Sequence, residues 1–268
     1  MALRGYAHLD ENYQVPLDEL PAVDSKLSTF LKRQGFGFTS PGNSRYIYVN
    51  GGTGDDNTGT GEAGAPYATI QAALDSIAST IYEGAYYIYV AAGTYVENLT
   101  AVPVMNAAAN TGYGDSHVHI YGNGADPTQI VIKPPYGINF TSNNQLCRTI
   151  LEGITLEGTA GQSTIGIDAS AGRVILRDVI LKNLLTAMHI YGEAYVQSLS
   201  FSTLTVDTNQ GGSGGIVCEE NSFTELLGPV EISGVASSYI RVTTGAVFVH
   251  RYATMDMIGA GEIGRAHV

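Results

Sequence analysis

Apolar and polar positions alternate in six short triplets that recur along the chain at a nearly constant interval. The two outer residues of every triplet are apolar, and the middle residue is Val, Thr, Ile, Thr, Glu and Asp in turn. Alternation with a period of two predicts strands whose outer residues face a core and whose middle residue faces outward. The triplets are Ile130-Val131-Ile132, Ile154-Thr155-Leu156, Val179-Ile180-Leu181, Leu204-Thr205-Val206, Val230-Glu231-Ile232 and Met255-Asp256-Met257.

The interval between the triplets predicts a structural unit that is repeated. Successive triplets begin 24, 25, 25, 26 and 25 residues apart. A single strand cannot bury its apolar face alone, so units of this length are expected to stack on one another. Two further apolar rows follow a similar interval, Leu151, Leu176, Phe201 and Leu226, and more loosely Ile138, Ile167, Ile190, Ile216 and Ile240. Three rows predict about three strands in each coil of an all-β, single-stranded parallel β-helix.

A different periodicity precedes the repeat. Apolar residues from Ile70 to Ile81 recur at intervals of three and four, which predicts a helix over Ala68 to Ile81 with one apolar face. Pro66 before this segment and Gly84 after it suit the start and the end of a helix. Strands are predicted on either side of the helix, at residues 46–50 and 86–91.

These elements carry a resemblance to a known fold. A first strand at 46–50, a loop rich in Gly, Asp and Asn, and a helix that opens with Thr69-Ile70-Gln71-Ala72-Ala73 are similar to the opening of pectate-lyase-like parallel β-helices. Residues 90–97 resemble the first full coil of that superfamily. The resemblance covers about residues 46–260. It implies a right-handed β-helix whose N-terminal end is covered by the helix, which would keep apolar residues and strand edges from water.

The chain divides into three predicted parts. Residues 1–45 are polar and contain too few apolar residues for a core of their own, so we expect an attachment or oligomerisation segment. Residues 46–261 form the predicted β-helix. Residues 262–268 resemble the translation of a sequencing-adapter oligonucleotide, which predicts a non-native tail and a β-helix that is truncated at its C-terminus.

Composition and charge narrow the range of partners. The formal net charge is −12, and a negative surface disfavours nucleic-acid binding. The sequence has no apolar stretch of about 18 residues, so no membrane span is predicted. The first residues lack the apolar core of a signal peptide. Cys147 and Cys218 lie 71 residues apart, close to three coils, which predicts reduced thiols and assembly in a cytoplasm.

A polar N-terminal segment followed by a capped β-helix resembles bacteriophage tail spikes and tail fibres. The resemblance implies a homotrimer in the virion tail that is assembled in the host cytoplasm, attaches to the tail or baseplate through residues 1–45, and recognises cell-surface polysaccharide. The apolar middle residues Val131 and Ile180 would suit a seam between subunits. Two alternatives remain open, a secreted or cell-associated bacterial polysaccharide lyase or glycoside hydrolase, and a structural virion spike without a ligand.

Cleavage of a polysaccharide requires acidic residues that converge on one face. Asp168, Glu193 and Glu219 lie 25 and 26 residues apart, so we expect them at one corner of three successive coils, where they could act as a catalytic pair or hold Ca²⁺. The alternative is three solvated surface charges. No other cofactor is predicted.

Other polar residues carry weaker predictions. Asp55, Asp56 and Asn57 imitate a Ca²⁺ loop but lack its later Glu, and we expect them to form turns. His117 and His119 alternate on a strand but lack a third metal ligand. Glu152 and Arg177, which are 25 residues apart, are expected to form an ion pair.

Tyrosines are the candidate sugar-binding residues. The chain has 17 Tyr and no Trp, and amphipathic aromatic rings can stack on sugars. Tyr113, Tyr121 and Tyr136 are the predicted substrate-binding residues. An enzyme should combine converging carboxylates with a groove, a binding protein should show an aromatic surface, and a structural spike should show neither.

Overall fold

The computed structural model contains one α-helix and nineteen strands within the part of the chain that it describes. That part comprises residues 45–78, 85–100, 117–135, 138–141, 148–159, 165–199, 204–207, 214–233, 240–243, 245–251 and 255–258. Helix α1 spans Ile70–Ala78, and a 3-10 helix spans Pro127–Gln129. The strands are β1 Arg45–Val49, β2 Ala85–Val90, β3 Gly93–Tyr95, β4 Leu99–Thr100, β5 His117–Tyr121, β6 Ile130–Ile132, β7 Ile138–Thr141, β8 Arg148–Glu157, β9 Ile165–Ala171, β10 Arg173–Lys182, β11 Thr186–Ile190, β12 Tyr195–Ser198, β13 Leu204–Asp207, β14 Gly214–Cys218, β15 Phe223–Leu226, β16 Val230–Ser233, β17 Ile240–Val242, β18 Val247–His250 and β19 Met255–Ile258.

The strands form two sheets in which each described strand pair is parallel. The larger sheet runs β1-β2-β5-β8-β10-β12-β15-β18, and a second branch, β3-β6 and β13-β16-β19, joins it at β8 and β10. The smaller sheet runs β17-β14-β11-β9-β7-β4. Neighbouring strands therefore come from successive passages of the chain, because parallel strands need a long connection. The all-β class and the parallel pairing are confirmed.

The two branches arise from bends in the long strands β8 and β10. Gly153 in β8 has a φ of 63°, and Asp178 in β10, which lies opposite it in the register, has a φ of 50°. Both residues are in the left-handed region, which turns the strand at that point. A Cβ on Gly153 would lie 2.4 Å from the backbone of Asn123, so only glycine fits there. Each of these two strands therefore pairs with strands of both branches.

The six triplets lie in register across β6, β8, β10, β13, β16 and β19. Val179, for example, pairs with Ile154 on one side and Leu204 on the other, and Val230 pairs with Met255. The outer residues of the first five triplets are buried, as predicted. Thr155 is an exception among the middle residues, because the 3-10 helix covers it and the carbonyl of Pro127 accepts a hydrogen bond from its hydroxyl at 2.9 Å.

Two predicted rows differ from the observed registers. Ser198, instead of Phe201, pairs with Leu176 and Leu226, and Phe201 lies outside the described residues. Ser198 is buried, and its hydroxyl is not left without a hydrogen-bond partner, because it accepts from the Leu227 N–H at 3.1 Å. A constant interval misplaces Phe201 because three residues connect β10 to β11, whereas seven connect β8 to β9.

The third row is shifted in the same way. Met188 pairs with Ile167 and Ile216, whereas the sequence analysis assigned this position to Ile190. Ile190 lies two residues further along β11 and is also buried, beside Ala169 and Cys218. Alternation along a strand places residues two apart on one face, so apolarity alone does not distinguish the two positions.

Helix α1 buries the face that the sequence predicts. Ile70, Ala73, Leu74 and Ile77 are at most 1% exposed, and the helix packs against β1, β2 and β4. The observed helix begins at Ile70, two residues after the predicted start at Ala68, and residues 79–84 lie outside the described residues. The side chains of Val131 and Ile180 are half-buried rather than exposed.

Two carboxylates hold the start of α1. Asp56 accepts hydrogen bonds from the N–H groups of Ala68 and Thr69 at 2.7 and 3.0 Å. Glu97 accepts hydrogen bonds from the N–H groups of Ile70 and Gln71 at 2.9 and 2.8 Å. These donors have no partner within the helix, and negative charge is favoured at its N-terminus. Burial raises the pKa of Glu97, and the two backbone hydrogen bonds oppose that effect.

The loop before α1 covers the outer edge of β1. Tyr48 donates its N–H to the carbonyl of Gly61 at 2.8 Å and accepts from the N–H of Tyr67 at 3.0 Å, and Asn50 donates its N–H to Tyr67 at 2.8 Å. Asp55 forms a turn by accepting from the N–H groups of Asn57 and Thr58, which lowers the pKa of its carboxyl. The loop therefore occupies hydrogen-bonding groups that a free edge strand would offer to other chains.

Several sequence predictions fall outside the described residues. They concern the attachment segment up to residue 44, Cys147 and the tail at residues 262–268. Cys218 is a buried free thiol, and burial raises its pKa to about 11. No helix in the described residues is both long enough and apolar enough to cross a membrane.

Close packing of the loop on β1 predicts that Gly54→Ala destabilises the fold. An added Cβ would lie 2.2 Å from the carbonyl oxygen of Tyr67, so backbone must move, at a cost of roughly 1–3 kcal/mol. Gly64→Ala is the matched control, since a Cβ there has nothing within 4 Å. Thermal unfolding followed by circular dichroism should show a lower midpoint for Gly54→Ala only. Equal midpoints for the two variants would contradict the packing described.

Candidate functional site

Outward-facing tyrosines cover the first strands of the larger sheet. In-register pairing places Tyr46 beside Tyr87, Tyr48 beside Tyr89, and Tyr89 beside Tyr121. Ring centroids of the first two pairs lie 5.6 Å apart with interplanar angles of 23° and 20°, and those of Tyr89 and Tyr121 lie 5.4 Å apart in an edge-to-face contact. We call these five residues the tyrosine platform.

The tyrosine platform is accessible and rests on a packed core. Tyr46 is 55% exposed and Tyr48 is 36% exposed. The alternate residues of the same strands, such as Ile47 and Ile88, are buried, so the strands beneath the rings are fixed. Partial burial and the neighbouring phenols raise the pKa of Tyr89. Tyr89 is therefore uncharged near neutral pH, and the surface offers aromatic rings and hydroxyl groups.

Of the three predicted substrate-binding residues, Tyr121 belongs to the tyrosine platform. Tyr113 and Tyr136 lie outside the described residues. The other platform residues could have been found from the sequence, because Tyr46 and Tyr48, and likewise Tyr87 and Tyr89, occupy alternate positions of strands that pair. The missing information was the register between β1 and β2, which fall outside the 25-residue interval.

Two histidines border the tyrosine platform on β5. The rings of His117 and His119 both lie 5.6 Å from that of Tyr87. His119 is only 7% exposed, although its strand position faces outward. Its burial is the main cause that lowers its pKa to about 4, with further contributions from His117 and Arg177. The His119 ring is therefore neutral at pH 7.

A buried carboxylate adjoins His119. Glu152 Oε2 lies 3.0 Å from His119 Nε2, but the contact lacks hydrogen-bond geometry. The same oxygen accepts a hydrogen bond from Arg177 Nη1 at 2.7 Å, which confirms the ion pair predicted from the sequence. Burial raises the pKa of Glu152, while Arg177 opposes that effect. Arg177 rather than His119 is thus the partner that balances the Glu152 charge.

A second polar group lies on the smaller sheet. His189 Nδ1 is 3.1 Å from Asp168 Oδ1, and His189 Nε2 is 3.5 Å from Glu219 Oε2. Arg241 Nη2 donates a hydrogen bond to Glu219 Oε1 at 2.9 Å. The ring of Tyr191 stacks on His189 with a centroid distance of 4.7 Å. We call Asp168, His189, Glu219 and Arg241 the carboxylate–histidine cluster.

The carboxylate–histidine cluster contains two of the three predicted catalytic residues. Asp168 pairs in register with His189, and Glu219 directly follows β14. Glu193 is exposed in the turn before β12, and within the described residues it has no hydrogen-bond or ion-pair partner. The connection between β10 and β11 is short, so that His189, 21 residues after Asp168, lies opposite it and Glu193 lies four residues beyond that column. The three predicted residues therefore do not share one corner. The sequence analysis missed His189 and Arg241.

The cluster can bind and orient a proton. Both ring nitrogens of His189 face carboxylates, so an imidazolium could donate to both, whereas a neutral ring could donate to only one. In the described part of the chain, no group of three or more His, Cys, Asp or Glu residues is arranged to hold a metal ion. Acid–base chemistry is the chemistry that these side chains offer.

Comparison of the chain with protein-family models, curated proteins and solved structures finds no match. The resemblance to pectate-lyase-like β-helices therefore stays a prediction that rests on the residues from Tyr46 to Leu74 and on the repeat.

The lowered pKa of His119 predicts how stability depends on pH. The pKa of His119 in the folded chain is about 4, below the usual 6.5 of histidine, so the unfolded chain binds the proton more tightly. The protein should therefore lose stability as the pH falls from about 6.5 to about 4. In His119→Gln, the free energy of unfolding should fall by about 2 kcal/mol less over this pH range than in the unchanged chain. Urea unfolding at several pH values measures this difference. An unchanged pH dependence in His119→Gln would show that the ring is protonated without cost.

Proposed function

We propose that this chain is a right-handed parallel β-helix of the tail-spike or tail-fibre type, and that it binds cell-surface polysaccharide through the tyrosine platform. The observation that carries the proposal is the tyrosine platform itself. Five tyrosines on three adjacent strands form one accessible, uncharged surface over a packed core. A surface of this kind supports the binding class among the alternatives considered.

The pairing of the strands supports the β-helix. Successive passages of the chain pair in parallel and in register, and three strand-bearing segments recur in most passages. A connection between parallel strands of one sheet is right-handed in about 98% of cases. Helix α1 packs against the first strands, as the resemblance implies.

The chemistry of the tyrosine platform suits a sugar chain. Aromatic carbon can contact the C–H groups of a sugar ring, and phenol groups can exchange hydrogen bonds with sugar hydroxyls. The net charge of −12 repels polyanions, which favours neutral sugars as ligands. Tyrosines fixed by stacking lose little side-chain entropy on binding.

The remaining parts of the proposal rest on the resemblance. They are a homotrimer, attachment to the virion tail or baseplate through residues 1–45, and assembly in the host cytoplasm. A bacterial polysaccharide lyase or hydrolase would share the fold but would require catalysis. A structural spike would bind no sugar.

Tyr46→Ala should weaken polysaccharide binding by roughly 3- to 10-fold, because the most exposed ring of the tyrosine platform would be lost. The measurement is a titration of the full chain with purified capsular and O-antigen polysaccharides. Tyrosine fluorescence can report binding because the chain has no Trp. Tyr46→Phe keeps the ring and separates its contribution from that of the hydroxyl.

Tyr195→Ala is the matched control, since it removes an aromatic ring that stacks on Phe223 of β15, outside the tyrosine platform. Its affinity should equal that of the unchanged chain. Equal losses in Tyr46→Ala and Tyr195→Ala would assign the binding elsewhere. The absence of binding to every polysaccharide tested would favour the structural spike.

The carboxylate–histidine cluster supports a second candidate function, cleavage of the bound polysaccharide. Two carboxylates on either side of one imidazole could supply a general acid and a general base. If the chain cleaves, Asp168→Asn should lower the rate by about 100-fold or more. Glu231→Gln, at an exposed position of β16, is the control. Loss of viscosity is the readout, and equal rates in Asp168→Asn and the unchanged chain would exclude Asp168 from the reaction.

A further inference from the structure

The tyrosine platform ends at a pocket. A cavity of about 230 Å³ lies beside Tyr48 and Tyr89 and is lined in part by the loop between β1 and α1. Val49, Val90 and Ala91 line it from the ends of β1 and β2. The loop contributes Thr53, Ala63 and Pro66.

The loop adjoins one end of the tyrosine platform. Tyr121, Tyr89 and Tyr48 form one column across β5, β2 and β1. The next backbone beyond β1 is the loop, which is fixed to β1 by the hydrogen bonds from Tyr48 to Gly61 and from Tyr67 to Tyr48. A sugar chain that follows the column would therefore meet the loop beside Ala63 and Pro66, where the pocket lies.

The pocket has the chemistry to hold one sugar ring. One face of Tyr48 is covered by the stacked ring of Tyr89, and no second ring covers the other face among the residues described. Asn50 Oδ1 accepts from the N–H groups of Gly52 and Thr53, which fixes the side chain while its amide NH₂ has no acceptor within the described residues. The exposed hydroxyl of Thr53 stands beside it. A volume below the roughly 300 Å³ of pockets for drug-sized molecules suits a monosaccharide unit.

We propose that this pocket binds the terminal sugar of a polysaccharide chain whose following units lie on the tyrosine platform. The inference rests on the proposed function, because it assigns a subsite to the same surface. It adds that recognition depends on chain ends, because a sugar chain that follows the column reaches the loop residues Ala63 and Pro66, which line the pocket beside Tyr48. Recognition of the chain interior would instead require an open platform at both ends.

The number of chain ends is the variable that tests this. The polysaccharide that binds the full chain in the titration is partly hydrolysed with mild acid, and fragments of different mean length are compared at equal mass. If the pocket binds ends, the half-saturating mass concentration falls in proportion to the mean length, so that tenfold shorter fragments bind at a roughly tenfold lower mass concentration. A half-saturating mass concentration that stays constant or rises as the fragments become shorter would overturn the proposal.

Variants separate the pocket from the tyrosine platform. Ala63→Trp places a large ring in the pocket from an exposed position. In this variant, shorter fragments should no longer bind at a lower mass concentration than longer ones. Val96→Trp is the control, because Val96 is 72% exposed and does not line the pocket. Binding that is lost in Tyr46→Ala but unchanged by Ala63→Trp and by fragment length would overturn the end-binding pocket and leave the proposed function intact. A failure of the unchanged chain to bind any polysaccharide would overturn both.

Discussion

Each strand of the two sheets pairs in parallel and in register with a strand from a neighbouring passage of the chain, and residues at equivalent positions therefore form columns. All residues of a column lie on the same face of the sheet, because alternation fixes the face of every residue. The core depends on this constraint, since apolar residues of successive passages stack on one another. The functional surfaces depend on it as well, because residues far apart in sequence become neighbours. Tyr48 and Tyr89, and likewise Asp168 and His189, meet in this way.

The columns of the larger sheet end at its edge strand, β1. An edge strand has unpaired backbone groups and, at the end of a stack, an uncovered apolar side, and both favour association with other chains. Helix α1 covers the apolar side, and the loop before it occupies hydrogen-bonding groups of β1. Asp56 and Glu97 bind the N–H groups at the start of the helix. Two carboxylates from different segments therefore stabilise the apolar contact between α1 and the first strands. The same loop forms the wall of the pocket beside Tyr48. Protection of the sheet edge and the shape of the proposed binding surface are thus consequences of one segment.

The two polar surfaces differ in how their charges are balanced. The tyrosine platform consists of phenol side chains, and the low pKa of His119 keeps this neighbouring ring neutral near pH 7. The carboxylate–histidine cluster instead combines two acids with Arg241 and a histidine. Stacked rings suit the binding of an extended neutral ligand, whereas a histidine between carboxylates suits proton transfer. Binding and cleavage, if the chain performs both, would therefore use different sheets.

The sequence by itself determined the class of fold, the parallel stacking and the register of the triplets from Ile130 to Met257. It could do so because burial of a strand face requires apolar residues at alternate positions, and a constant coil length repeats them at a constant interval. It also predicted α1 and the ion pair of Glu152 with Arg177. The interval is not constant near Ser198, Met188 and Glu193, because the connections between strands differ in length. In such places more than one residue fits the predicted spacing of apolar or acidic residues. Only the tertiary structure decided which residues share a column there. It therefore decided the membership of the tyrosine platform, the pairing of Asp168 with His189 and the pocket beneath the loop, because side-chain neighbours across strands depend on register and not on distance along the chain.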